Sequence, residues 1–252
     1  MSPRLADGAA GAFGPVERGV AGRDLFRAPG PCLAYGLALA LISFGLSYAI
    51  VVSNGAFWAL ALTIGFVFVA PMLAMGLYEA GRLIEACEKP TLARMIYVRA
   101  AVRQDVFYLG LALALIYLLW GRIAQIVYGL STYQLHTTVA EFVDYATGTP
   151  DGLNMLLVGS IVGAIFAFVT YCLVVVSAPM LLDQRSNIFL ATVTSVRAVF
   201  ANFGPMLLWA VIIAALVLIS AATGFLAFIV IFPWLGLATW RAYRDLVPTT
   251  EA

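Results

Sequence analysis

The chain has 252 residues, of which 63% are apolar and only 11% charged, with a formal net charge of +1. A soluble domain of this size carries about a quarter of its residues charged, so this chain cannot cover a water-facing surface and requires the lipid bilayer as its solvent and first partner. Near-neutral charge, with no basic patch interleaved with aromatics, excludes nucleic acid.

Residues 1–28 hold Arg4, Arg18, Arg23 and Arg27 and no apolar run of signal-peptide length, so no cleavable leader is expected. The Gly, Ala and Pro of residues 1 to about 16 predict disorder, which makes 1–28 a partly disordered cytoplasmic tail. Cys32, Cys87 and Cys172 are odd in number, widely spaced and without a CxxC pattern, so neither a disulfide nor a metal site is implied.

A helix needs roughly 20 apolar residues to cross the ~30 Å hydrocarbon core. From Pro29 to Tyr78 there is no charged residue, and the Ser53-Asn54-Gly55 turn signal divides that run into helices at 32–53 and 56–78. A third helix follows Asp105 and reaches Tyr128, and a fourth occupies 153–180. The charge-free run from Phe203 to Trp240 is divided at Ser220-Ala-Ala-Thr-Gly224 into helices at 203–221 and 225–243. The expected fold is all-α: a polytopic membrane bundle of six transmembrane helices over 29–247, with short amphipathic surface helices in the connections and a cytoplasmic tail at 248–252.

The basic residues test that topology. Six spans put both tails and the 79–105 and 181–202 connections on one side, and these hold thirteen of the fourteen Lys and Arg. Only Arg122 falls toward the other face, which carries Glu141, Asp144 and Asp151. Such an asymmetry places both termini in the cytoplasm.

Ala70-Pro71-Met72 and Ala178-Pro179-Met180 recur at the ends of the second and fourth spans, and Val98-Arg99-Ala100 and Val196-Arg197-Ala198 precede the third and fifth. The offsets are 108 and 98, compatible with a parallel duplication or with coincidence in an Ala- and Val-rich chain. Proline removes a backbone N–H and can redirect a helix, so Pro71, Pro179 and Pro233 are predicted to be structural elbows. Thr91 and Ser186 or Asn187 are candidate N-caps of surface helices.

Gly22-x-Asp24-Leu25 with Tyr35-Gly36, GFVFVAPMLAMGLYEAGRLIE (65–85), VVSAPMLLD (175–183), ATVTSVRAVFAN (191–202) and FPWLGLATWRAYR (232–244) together resemble an uncharacterised bacterial membrane family, domain of unknown function 2189, over residues 20–247. The resemblance implies a multi-pass protein of the bacterial inner membrane, without implying an activity. Some relatives are labelled cytochrome c oxidase subunit I, which needs six membrane histidines for two haems and a copper. This chain has a single histidine, His136, and cannot be that subunit. Relatives commonly carry histidine at the positions of Leu237 and Arg241, and arginine where this chain has Gln184, so a metal or proton role there does not transfer.

Charges inside a bilayer are costly and usually functional. Arg122 is the sole candidate in the spans. It lies 17 residues past Asp105, hence about 25 Å across at 1.5 Å per residue, where it can snorkel as an interfacial charge and pair with Glu141 or Asp144. His136, Glu141 and Asp144 have metal-ligand chemistry, but an amphipathic surface helix explains their spacing. Gly159-x-x-x-Gly163 allows close helix packing against this chain or a partner. Glu79–Arg82 and Glu85–Lys89 have the spacing of helix-surface ion pairs. There is no phosphate loop and no nucleophile with a base nearby. The residues imply no catalytic site, cofactor site or metal site and no enzyme activity. The expectation is a non-catalytic accessory or assembly subunit of a membrane complex, with a respiratory complex or a homo-oligomer among the partners considered. The alternative is a channel or carrier for a small neutral or amphipathic solute.

Overall fold

The computed structural model describes residues 23–52, 70–98, 103–132, 136 and 138–247. The expected disorder at the N-terminus, the turn at 53–55, the apolar part of the second span, and Arg99, Ala100 and the final tail lie outside the described residues.

Among the described residues the chain is helical, without strands. The elements are α1 (Pro29–Val52), α2 (Met75–Glu85), α3 (Leu92–Ile96), α4 (Gln104–Ser131), α5 (Val139–Gly148), α6 (Pro150–Val174), α7 (Ser177–Asp183), α8 (Ile188–Ala201), α9 (Phe203–Ala222) and α10 (Phe228–Leu246). Short helical runs at 23–27 and 70–73 precede α1 and α2. Four described helices are long and apolar enough to cross a membrane: Pro29–Ala49, Gln104–Ser131, Pro150–Asp183 and Phe203–Ala222.

Helix starts follow from local chemistry. The Thr91 hydroxyl accepts from the Arg94 N–H at α3, and Asn187 Oδ1 accepts from Phe189 and Leu190 at α8. Of the two cap candidates at α8, Asn187 is therefore the one that acts. Pro205 stands in the first turn of α9, where its missing N–H has no partner to lose. Gly224 and Phe225, with φ of 61° and 66°, turn the chain between α9 and α10. The Phe225 N–H donates to the Ser220 carbonyl at 2.7 Å, closing α9 with a Schellman-type cap.

α10 is the hub, packed against α1, α2, α7 and α9. Its Phe232, Leu235, Leu237, Trp240, Tyr243 and Leu246 are all buried. Glycines permit this closeness. A Cβ on Gly36 would stand 2.3 Å from the Ile229 carbonyl oxygen, and one on Gly81 would stand 2.7 Å from the Trp240 ring. Ile229 is the residue whose carbonyl loses its i+4 donor to Pro233, so α1 packs its barest surface on the position that proline frees. α10 runs unbroken through Pro233.

The fourth span is broken between α6 and α7, at Val175–Val176, rather than at Pro179 itself. Pro179 crowds the carbonyl four residues back, that of Val175. There the Ser195 hydroxyl of α8 enters the helical ladder: it donates to the Cys172 carbonyl at 2.8 Å and accepts from the Val176 N–H at 3.2 Å. Those two groups would otherwise bond each other, so the inserted hydroxyl satisfies both where the ladder opens. The helical run at 70–73 is separated from α2 at Ala74, where the Leu77 N–H steps back to the Ala74 carbonyl. The Leu73 carbonyl accepts instead from the Tyr35 hydroxyl at 2.7 Å. The position corresponding to Val175 in the first Ala-Pro-Met copy is 67, outside the described residues.

Candidate functional site

The charges beyond the span ends converge in one layer at the end of the bundle, built on the last turns of α10. Arg241 Nε meets Asp24 Oδ2 at 2.7 Å, and Asp24 Oδ1 also accepts from Arg27 at 3.3 Å. Asp24 is 1% exposed and Arg241 18%. One turn along, Arg244 divides its guanidinium between Glu85 of α2, at 3.1 Å, and Asp183 of α7, at 3.2 Å. The Trp240 indole N–H donates to Glu85 at 3.2 Å, and the Tyr243 hydroxyl donates to Asp183 at 2.9 Å. Gln184 donates to the Tyr243 oxygen at 3.2 Å. Arg103, before α4, donates to the carbonyls of Leu181 and Gln184, both at 2.9 Å, so it caps the end of α7. Asp105 accepts from the Ile188 N–H at 3.0 Å.

Electrostatics follow from these pairs. The bidentate bond to Glu79, at 2.7 and 2.8 Å, raises the Arg82 pKa above its ordinary value. Burial opposes the Arg244 charge, but Glu85 and Asp183 outweigh it, and the net shift is upward. The Arg94 guanidinium holds the exposed Glu88 carboxyl below its usual range. α2 ends at Glu85, so Lys89 does not lie one helical turn along, and Glu85 accepts instead from Trp240 and Arg244 of α10.

Two cavities adjoin this layer. A polar one of about 620 Å³ is lined by Glu79, Arg82, Arg94, Tyr97, Leu182 and Asp183, with Ala93 and Val98. An apolar one of about 110 Å³ lies among α2, α6, α9 and α10, lined in part by Tyr78, Thr170, Tyr171, Phe232, Gly236 and Thr239. The Thr170 hydroxyl is buried without a hydrogen-bond partner among the described residues.

The residues singled out in the sequence are dispersed. Pro71 lines the apolar cavity, Pro179 lies buried in α7, and Pro233 lies buried in α10. Gly163 receives the Trp120 ring of α4, 3.0 Å from where a Cβ would stand, and Gly159 faces Val127 at 4.0 Å. The partner of this small-residue face is therefore another helix of the same chain. Arg122 is exposed and donates to Gln125 one turn on, at 3.3 Å. Glu141 forms a capping box with Thr138, and Asp144 is exposed on α5. That box starts α5 after His136, so His136 does not share a helical face with Asp144. Instead its Nδ1 bonds the Tyr128 hydroxyl at 2.9 Å, and its ring stacks on Tyr145 with centroids 4.5 Å apart. Among the described residues no three His, Cys, Asp or Glu side chains are grouped to hold a metal ion.

Sequence reasoning missed the Asp24–Arg241 pair, the Ser195 insertion and the Arg103 cap. The first had a signal: both residues lie in segments that carry the resemblance, Gly22-x-Asp24-Leu25 and residues 232–244. The other two had none, because a serine in an apolar helix and an arginine in a connection are ordinary residues there.

No curated protein and no solved structure matches the chain. A family model described as predicted integral membrane protein (DUF2189) matches residues 59–183, a shorter stretch than the 20–247 covered by the motif resemblance. That stretch contains both Ala-Pro-Met segments, the polar cavity and the Glu85 and Asp183 ends of the charged layer, while Asp24 and α10 fall outside it. Over residues 59–183 this apolar chain, helical among the described residues, is similar to the DUF2189 family of predicted integral membrane proteins.

Proposed function

We propose that the protein is a six-span component of the bacterial inner membrane, with both termini cytoplasmic, that acts as a non-catalytic accessory or assembly subunit. The observation that carries this role is an open small-residue surface on α4. Gly121 and Gly129 lie two turns apart, and among the described residues nothing stands within 4 Å of where a Cβ would sit on either. Small residues let a second helix backbone approach closely in lipid. The buried and half-buried charges at the end of the bundle, by contrast, are paired within the chain.

Tagged protein drawn from native membranes in mild detergent, with quantitative mass spectrometry and an absorption spectrum, tests this role. A stoichiometric membrane partner, lost in Gly121→Leu and Gly129→Leu, supports it; respiratory subunits with a haem band would identify the complex. A monomeric preparation without partners overturns it.

A carrier for a small neutral solute is favoured by one other observation: the apolar cavity lies beside the breaks at Ala74 and Val175–Val176. Solute flux in vesicles of the purified protein, lost when Ala167→Leu adds bulk to the cavity lining, would support this alternative.

A further inference from the structure

The polar cavity has a composition that an ordinary solvated helix end does not need. Its wall carries two guanidiniums, Arg82 and Arg94, and two carboxylates, Glu79 and Asp183. A volume of about 620 Å³ is in the range of small-molecule sites. Each charge keeps unused valence. Arg82 reaches Glu79 through Nε and Nη2, and Arg94 reaches Glu88 through Nη1, so both forks retain N–H donors. Tyr243 and Arg244 both bond Asp183 at Oδ2. Tyr97 in the cavity wall is 82% exposed, and Leu92 and Ile96 beside it on α3 are 38% and 58% exposed. In a membrane protein such residues belong at the level where headgroups give way to acyl chains.

We propose that this cavity binds the headgroup of a zwitterionic phospholipid with a primary ammonium, phosphatidylethanolamine, its phosphodiester on Arg82 and Arg94 and its ammonium on Asp183 and Glu79. Balanced wall charge favours a zwitterion over an anionic lipid, whose net negative charge would face the carboxylates without a compensating ammonium. A primary ammonium donates hydrogen bonds to carboxylates, whereas a quaternary choline cannot. These exposed apolar side chains favour a lipid over a soluble phosphoethanolamine. This inference needs only a membrane setting and stands apart from the accessory role.

The test is native mass spectrometry of the full-length, delipidated protein with added phosphatidylethanolamine, phosphatidylglycerol or phosphatidylcholine of the same acyl chains. Phosphatidylethanolamine should be retained about tenfold better than either, the equivalent of one charge-assisted contact. Glu79→Gln should remove the preference over phosphatidylcholine, and Arg94→Gln should weaken retention of all three lipids, while Arg122→Gln, at the opposite end of α4, should do neither. Arg94 lies in an exposed pair, so its variant is expected to fold, and circular dichroism checks this; Arg82→Gln provides the second variant. Equal or better retention of phosphatidylglycerol, competition by soluble phosphoethanolamine at the same concentration, unchanged lipid retention in a folded Arg94→Gln protein, or an unchanged preference in a folded Glu79→Gln protein would each overturn the proposal.

Discussion

Asp24 and Arg241, 217 positions apart, close a 2.7 Å ion pair that joins the segment entering the first helix to the end of the last. Asp24 is almost wholly buried. A buried carboxylate without its cation is strongly disfavoured, so the pair holds the chain ends in one arrangement. With Glu85–Arg244–Asp183 beside it, it fastens α2 and α7 to α10 at the same level.

Breaking one partner should therefore cost more than removing both. Asp24→Asn or Arg241→Gln is expected to destabilise by about 2–3 kcal/mol, somewhat below the usual loss for a fully buried pair because Arg241 keeps some solvent contact. The double variant Asp24→Leu/Arg241→Met should recover most of that loss. Denaturation of the detergent-solubilised protein, followed by tryptophan fluorescence, measures it. Single variants that unfold like the parent would show that the pair does not clamp the chain ends.

Ser195→Ala should leave the Cys172 carbonyl and the Val176 N–H facing each other across an opened ladder. Leaving buried polar groups unsatisfied costs about 1–3 kcal/mol. Hydrogen exchange at the Val176 amide should speed up in the variant, while amides in the middle of α4 keep their protection. If the Val176 amide stays equally protected, the helix closes without the serine and the inserted hydroxyl is dispensable.

Gly36→Ala places a methyl against the Ile229 carbonyl and should destabilise by at least about 1–3 kcal/mol, the range for overpacking. Gly121→Ala, with open space among the described residues, should be neutral or gain up to about 1 kcal/mol from helix propensity. Melting temperatures of the two variants decide the order, and equal values would contradict the close α1–α10 contact.

Cys87 is exposed beside the charged layer, whereas Cys32 and Cys172 are buried. On the proposed six-span topology, a membrane-impermeant maleimide should label Cys87 in inverted vesicles and spare it in intact spheroplasts. Asp144→Cys in a Cys87→Ala background should show the opposite pattern. Labelling of both sites from the same side would rule out the six-span topology.

Glu88 and Arg94 should stay paired from about pH 5 to 8. The lowered Glu88 pKa means the pair's contribution is present above the ordinary carboxylate value and lost only as pH falls through the lower, folded one. Ethanolamine-lipid retention should thus be flat over that window, as native mass spectrometry at several pH values would show.

The membrane class and the helix ends were legible in the sequence because both depend on local chemistry. Apolar runs from Pro150 to Asp183 and from Phe203 to Ala222 can only be helices in lipid, where every backbone group must bond within its own segment. Thr91 and Asn187 cap α3 and α8 from the preceding position, and Gly224 turns the chain just past the end of α9. Pro179 lies inside α7, and the helix is interrupted at Val175–Val176, where the proline ring crowds the carbonyl four residues before it. Which charges meet was decided only by the tertiary structure. Asp24 has basic residues close by in sequence at Arg23 and Arg27, yet its shortest ion pair is with Arg241. Glu85 has Lys89 four positions on in sequence, but α2 ends at Glu85 and its partners are Arg244 and Trp240. Sequence spacing counts neighbours along a helix, whereas the energy of a charge depends on how far its surroundings exclude water. Burial against α10 sets that, and burial exists only once the helices have packed.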